Sequence, residues 1–357
     1  MSAARGTPHS ISARSSWFMA GKCTERPVRA HNVVSQNLRE PDMALTAARP
    51  LAAARLRGVL SPVITPFKAD LSPDGERFVR HCKWLLKSGC TGLAIFGTNS
   101  EANSLSLEEK LSLLAALLHA GVPGSALMPG TGHCALPATV RLTANAVKMG
   151  CAGVLMLPPF YYKGVSDEGL FRYFSEVIER VGDERLRVYL YHIPPVSQVP
   201  ITLQLIERLL AKYPGIVAGA KDSSGDWNNT KAMLDEFGKS GFDVFPGSEL
   251  FLLQGMRHGG AGCISATANV NPGAIDHVFR NWRSGEADKM QAGIGATRNI
   301  MQKYPMIAAL KSVVAHFGND GEWRRVRPPL VELTSAQEAA LIPELKAAGF
   351  AMPGLAG

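Results

Sequence analysis

The chain has 357 residues, 46% of them hydrophobic and 19% charged, with 38 Lys and Arg against 30 Asp and Glu. That apolar share excludes a chain disordered along its whole length, and no apolar run is long enough to make a membrane helix. Six cysteines without a CxxC spacing (Cys23, Cys82, Cys90, Cys134, Cys151 and Cys263) exclude a disulfide framework and a zinc ribbon and predict reduced thiols.

The net charge of +8 first suggests an anionic partner such as nucleic acid, but its location argues otherwise. Residues 1–57 hold nine Lys/Arg and three acids, a balance of +6, while the remaining 300 carry 29 bases and 27 acids, only +2. Residues 1–54 read as a basic, disordered leader rich in Ser, Arg and Ala, without the continuous apolar stretch of a secretory signal. The favoured expectation is an over-extended start, with Met43 as the true first residue and a cytoplasmic protein. An organellar transit peptide and a basic interaction arm are the alternatives. The body is nearly neutral, so neither nucleic acid nor membrane is an expected partner of it.

From Gly58 onward a rhythm sets in. There are eight apolar segments, six of which end in Gly, Pro, Thr or Asp: Gly58–Phe67, Gly92–Phe96, Ala126–Thr131, Gly153–Pro159, Arg187–Pro194, Val217–Asp222, Phe242–Gly247 and Gly260–Thr267. Amphipathic stretches alternate with them, among them Gly75–Lys87, Leu107–His119, Pro137–Met149, Asp167–Arg180 and Leu203–Lys212, with apolar residues at i, i+3 and i+4. Strands written as apolar runs are buried on both faces, as in a parallel sheet. Eight such units predict an α/β fold, a (β/α)8 TIM barrel over residues 55–280, with a C-terminal helical appendage over 281–357.

Two phosphate-type motifs lack their context. Gly130-Thr131-Gly132-His133-Cys134-Ala135 fits a loose dinucleotide pattern, but the following segment ends in no acid. Gly238-Lys239-Ser240 lacks the leading glycine of a P-loop, since Met233 stands there. No histidine or cysteine spacing suits a metal, so neither metal nor bound cofactor is expected.

Chemistry in such a barrel sits at the C-terminal ends of the strands. In the sixth segment Lys221 closes the apolar run Val217–Ala220. A lysine buried there pays a desolvation cost for its charge, and a neutral amine is the nucleophile that forms a Schiff base with a carbonyl. An ion pair with a mouth carboxylate is the alternative. Tyr191 ends the neighbouring segment, where its phenol can face Lys221 and act as general acid and base, held by a hydroxyl such as that of Thr98. Thr98 and Asn99, on a glycine-flanked loop, offer hydroxyl, amide and backbone N–H groups to a carboxylate.

With these residues in place, residues 55–350 resemble the dihydrodipicolinate synthase / N-acetylneuraminate lyase family of pyruvate-dependent class I aldolases. The resemblance rests on Pro62-Val63-Ile64-Thr65-Pro66-Phe67, Gly97-Thr98-Asn99-Ser100-Glu101, Gly130-Thr131-Gly132, Pro158-Pro159-Phe160-Tyr161-Tyr162, Tyr191-His192-Ile193-Pro194, Gly219-Ala220-Lys221-Asp222, Gly247-Ser248 and Gly262-Cys263-Ile264-Ser265. It implies that Lys221 forms the Schiff base with pyruvate, that Tyr191 and Thr98 relay protons, and that Tyr161 reaches a neighbouring subunit's site. Substrate contacts are implied at Asn99, Ser223, Gly247 and the Ile264 carbonyl, and the assembly at a homotetramer built as a dimer of dimers. Asn99 and Ser100 replace the family's second Thr and Gly. Val196 stands where the lysine-forming synthases carry an Arg that clamps a carboxylate. The strand-end motifs resemble the 4-hydroxy-2-oxoglutarate aldolase branch more closely. The expectation is therefore a carbon–carbon lyase acting on pyruvate or a small 2-oxo acid. Dihydrodipicolinate synthase and a non-catalytic 2-oxo-acid-binding regulator are the alternatives.

Overall fold

Short parallel strands carry the architecture, and the computed structural model describes them within residues 55–355. The expectations for the leader, Met43 included, lie outside the described residues. Strands β1 (Gly58–Ser61), β2 (Gly92–Leu93) and β7 (Gly262–Ile264) pair in the order β2-β1-β7. Strands β3 (Val154–Met156), β4 (Val188–His192), β5 (Val217–Asp222) and β6 (Asp243–Pro246) pair in sequence order. Every pairing is parallel.

Two seams close these sheets into a barrel. On one side the Ala261 N–H reaches Val244 O at 3.0 Å and the Gly58 N–H reaches Ala261 O at 2.7 Å. On the other, residues 127–130 bridge β2 and β3: Leu127 pairs with Leu93 and Gly130 with Leu155. This is the expected third strand, and it differs from expectation. Its first residue, Ala126, belongs to a 3-10 turn, and only isolated bridges follow. Pro129 has no N–H to give a continuous ladder. The glycines of the GxG motif serve this seam. A Cβ on Gly130 would stand 2.2 Å from Phe96 O, and one on Gly132 would stand 2.3 Å from Leu157 N. They allow close backbone approach, not nucleotide binding.

Helices cover the barrel: α1 (Gly75–Lys87), α2 (Leu107–His119), α3 (Leu136–Lys148), α4 (Asp167–Val181), α5 (Pro194–Ser197), α6 (Leu203–Lys212), α7 (Trp227–Phe237), α8 (Leu252–Arg257) and α9 (Pro272–Arg280). Their starts are capped locally. Asp74 accepts the Arg77 N–H, and Ser106 with Glu109 forms a reciprocal capping box on α2. Three more helices follow, α10 (Ala287–Met301), α11 (Met306–Phe317) and α12 (Ser335–Ala347). They do not form a core of their own. Leu310, Val313, Leu341 and Leu345 belong to the same apolar cluster as Phe78, Leu85, Leu113 and Leu117 of α1 and α2.

The barrel interior is filled from below by Tyr189, which is fully buried and packs edge-on against Phe245 at 5.9 Å. Its hydroxyl donates to Asp243, which Arg57 also holds, at 2.9 Å. Side chains on a strand alternate between faces, so Tyr191, two residues on, points into the mouth above this floor.

Candidate active site

The β4–β5 register pairs Tyr189 with Gly219 and Tyr191 with Lys221. Both Tyr191 and Lys221 are therefore on the inner face, and both are buried. The Lys221 Nζ donates to the Tyr191 hydroxyl at 3.1 Å. It also lies 4.2 Å from the centre of the Tyr191 ring. From the opposite wall the Thr98 hydroxyl meets the Tyr191 hydroxyl at 3.2 Å. A chain of three polar groups thus runs Lys221–Tyr191–Thr98 across the mouth.

Burial alone would raise the Tyr191 phenol's pKa. The positive charge of Lys221 and the hydrogen bonds from Thr98, Lys221 and Ser223 outweigh it, and the phenol ends below its ordinary value near 10. A phenol in that state gives up its proton more readily than a free tyrosine.

Thr98 sits at the start of a tight 3-10 turn, Thr98–Ser100. The turn is pinned from below: Ser100 Oγ donates to Val63 O and accepts the Gly97 N–H at 3.1 Å, and Thr65 Oγ1 donates to Ser100 O at 2.8 Å. Asn99 is half-buried beside it, and its amide makes no side-chain hydrogen bond among the described residues. Phe96, Gly97, Thr98, Asn103, Gly130, Leu157 and Tyr191 line one small cavity at this point.

Ser223 follows β5 directly, with its N–H on His192 O at 2.7 Å. It lies against Gly247, the first residue after β6, where a Cβ would come within 2.0 Å of the Ser223 hydroxyl. Ile264 ends β7, paired with Leu60 and buried in the barrel interior. Lys221, Tyr191, Thr98, Asn99, Ser223, Gly247 and Ile264 therefore all stand at strand ends or on strand-end loops of one barrel face.

Tyr161 stands on a strand-end loop of the same face but is turned to solvent. It is 74% exposed, on the loop after β3. Tyr162 beside it is 73% exposed and meets it edge to face at 5.4 Å. The resemblance points to Tyr161, and Tyr162 is equally exposed. Glu101 closes the Gly97–Glu101 motif with no role implied for it, and its partner Lys311 lies outside every motif; the two form a fully buried ion pair behind the Thr98 turn. The signal for Lys311 in the sequence is a lysine amid a run of mostly Ala, Leu and Val. Among the described residues no cluster of three or more His, Cys, Asp or Glu is placed to hold a metal ion, and no helix is long and apolar enough to cross a membrane.

The model of the dihydrodipicolinate synthetase family matches residues 55–348. The chain belongs to that family. An uncharacterized DapA-like lyase of Chloroflexus aurantiacus is 32% identical over 291 residues, which are 81% of this chain and 95% of the relative. Among solved structures, dihydrodipicolinate synthase from Agrobacterium tumefaciens is 32% identical with a TM-score of 0.74, covering 82% of this chain and 99% of that one. YagE, a prophage protein of the dihydrodipicolinic acid synthase family from E. coli K12 solved with pyruvate, is 25% identical with a TM-score of 0.75, covering 83% and 100%. The fold is accordingly the family's TIM barrel, and the protein is an enzyme of the lyase class.

Proposed function

We propose that the protein is a class I aldolase in which Lys221 forms a Schiff base with the keto carbon of pyruvate or a related 2-oxo acid. The observation that carries the reading is the buried contact between Lys221 Nζ and the Tyr191 hydroxyl at 3.1 Å, within family membership. Tyr191 takes a proton from the Lys221 ammonium, and the amine so freed adds to the keto carbon and forms the C–N bond. Tyr191 delivers a proton to the carbinolamine oxygen, which leaves as water, and an iminium remains. In a 4-hydroxy-2-oxo acid the C3–C4 bonding pair then flows into the iminium. The C4 hydroxyl proton passes to Tyr191, an aldehyde departs, and the enamine is protonated at C3. Water hydrolyses the iminium and frees pyruvate and Lys221. Thr98 holds the phenol in line, and the Thr98–Asn99 turn takes the substrate carboxylate. The only cofactor-like group in this scheme is the covalent adduct on Lys221.

Among substrates, 4-hydroxy-2-oxoglutarate fits best. Val196 gives no guanidinium for the cyclic dicarboxylate of the synthase reaction, and it is 60% exposed on the rim. Lys163 brings a cation beside it, with its Nζ on Ser197 O at 2.8 Å, and Ser223 adds a hydroxyl for the distal end. A second reading, 4-hydroxy-tetrahydrodipicolinate synthase, is favoured by relatives of that name, one from Thermodesulfovibrio yellowstonii at 28% identity. Tetramer assembly and a cytoplasmic location belong to the same proposal. The exposed Tyr161, Tyr162 and Val196 supply apolar surface for a second copy.

Borohydride with pyruvate tests the mechanism. A reduced pyruvyl group on the peptide bearing Lys221 supports it, and a folded protein without that adduct overturns it. Pyruvate release from 4-hydroxy-2-oxoglutarate, measured against condensation with aspartate semialdehyde, separates the two substrates. Capture of pyruvate without turnover of either, or of any other aldol adduct of pyruvate, would instead describe a binding protein.

A further inference from the structure

The turn that carries Thr98 and Asn99 does not end at Ser100. Its next residue, Glu101, has a left-handed backbone with φ of 55°, which is strained for a residue bearing a side chain. The Glu101 carboxylate is fully buried, and so is its partner, the Lys311 ammonium on α11, 210 positions away in sequence. Lys311 also donates to Arg325 O at 2.7 Å and lies 4.4 Å from the centre of the Phe67 ring. The second carboxylate oxygen of Glu101 accepts the Arg327 N–H at 2.8 Å. The Arg327 guanidinium then reaches back over the same loop, to Ser104 O, to Leu71 O at 2.8 Å and to Glu109 of α2 at 2.9 Å.

Burying an ion pair costs desolvation that a well-packed apolar pair avoids, so stability alone does not call for one here. The left-handed backbone of Glu101 adds a further cost. Both lie immediately behind the turn whose hydroxyl meets Tyr191.

We propose that Glu101, Lys311 and Arg327 form a positioning clamp that sets the Thr98–Asn99 turn for the substrate carboxylate, which makes α11 part of the reaction machinery. The inference rests on the Schiff-base reading above. None of the three residues need touch substrate. They act by fixing the position of two groups that do, and a misplacement of about 1 Å at such groups costs up to about 100-fold in rate.

The experiment uses the full chain and pyruvate alone. Enamine formation exchanges the C3 hydrogens of pyruvate in D2O, so the pyruvate concentration at half-maximal exchange reads carboxylate binding without knowledge of the aldehyde. Three variants are compared: Lys311→Met, Lys311→Arg and the double variant Glu101→Gln/Lys311→Met. In Lys311→Met that concentration rises about tenfold or more, beyond any fall in the maximal rate. In Lys311→Arg, which keeps the charge, it returns to within about threefold of the starting protein. The double variant removes the orphaned charge and regains thermal stability, yet keeps the raised concentration. If the double variant regains stability and pyruvate response together, the pair is packing and the clamp is wrong. A folded Lys311→Met protein with unchanged pyruvate response overturns it equally. Borohydride trapping on Lys221 in the unaltered protein tests the Schiff-base reading by itself. Intact trapping with unaltered half-saturation in Lys311→Met therefore sinks the clamp alone.

Discussion

Tyr189 sets one ring edge against Gly219, directly across the β4–β5 ladder and two residues below the Tyr191–Lys221 pair. A Cβ on Gly219 would stand 2.2 Å from Asp243 O and 2.8 Å from the Tyr189 ring. Neither neighbour can yield cheaply, since one is backbone of β6 and the other is the buried floor of the barrel. Gly219→Ala is expected to lower stability by about 3 kcal/mol, at the upper end for overpacking. Because the floor supports the Lys221 level, borohydride trapping per folded molecule falls too. Thermal unfolding and trapping measured side by side check this, and an unchanged Tm would show that the ladder has room.

Tyr191→Phe keeps the ring over Lys221 and removes only the hydroxyl. The maximal rate is expected to fall about 100- to 1,000-fold, the range for loss of a general acid–base group. Lys221 is expected still to take up the pyruvyl adduct when given longer with borohydride. Thr98→Val removes the hydroxyl that meets the phenol at 3.2 Å and is expected to cost about tenfold, with Thr98→Ser close to the parent. Wild-type turnover in Tyr191→Phe would remove the phenol from the mechanism.

Much of this site is legible in the amino-acid sequence. Lys221 and Tyr191 end adjacent apolar runs, and the two-residue period of a strand puts both on the same face once the strands pair in register. The irregular seam at residues 127–130 is not legible there, because Pro129 hides a missing ladder inside a run that otherwise looks like a strand. Nor is the Glu101–Lys311 pair, whose halves are 210 positions apart. Local pattern carries no information on which distant charge a buried carboxylate meets. Gly247 stands out by family resemblance, while its physical reason, the Ser223 hydroxyl against its Cα, is a contact between separate loops that only the fold creates.

The same contact is open to test. Gly247→Ala would place a methyl 2.0 Å from Ser223 Oγ and 2.9 Å from Ser223 Cα, so Ser223 must move. If Ser223 serves the distal end of the substrate, kcat/KM for 4-hydroxy-2-oxoglutarate falls about tenfold or more, while C3 exchange of pyruvate, which has no distal end, falls less. Equal losses in both assays would place Ser223 outside distal recognition.

The exposed Tyr161 and Tyr162 separate assembly from chemistry. Sedimentation of the parent is expected to give a tetramer. Tyr161→Ala and Tyr162→Ala are each expected to weaken it, because apolar side chains exposed above 70% gain stability only by being covered. If one of the two tyrosines also enters a neighbour's site, its alanine variant loses turnover at concentrations where the tetramer is still intact. A monomeric, fully active parent would contradict the assembly.

Acid stability is expected to depend on a histidine remote from the mouth. His81 is buried between Trp84 and Trp323, with ring centres at 5.7 and 5.0 Å. Neither ring nitrogen has a well-formed hydrogen bond. Asn269 nearby favours the charged ring slightly, but its amide is already committed to Pro62 O, Ala266 O and the Ile64 N–H. Burial dominates and pushes the His81 pKa down to about 4 from 6.5. The sign follows from proton counting. Between those two values the unfolded chain binds the proton and the folded chain does not, so stability is complete above about pH 6.5 and drains away as pH falls towards 4. The full loss amounts to about 3 kcal/mol. Denaturant unfolding at stepped pH should show this slope in the parent, and His81→Phe should flatten it, because phenylalanine fills the slot between the two tryptophans and takes no proton. An identical slope in the variant would assign the acid sensitivity to other groups.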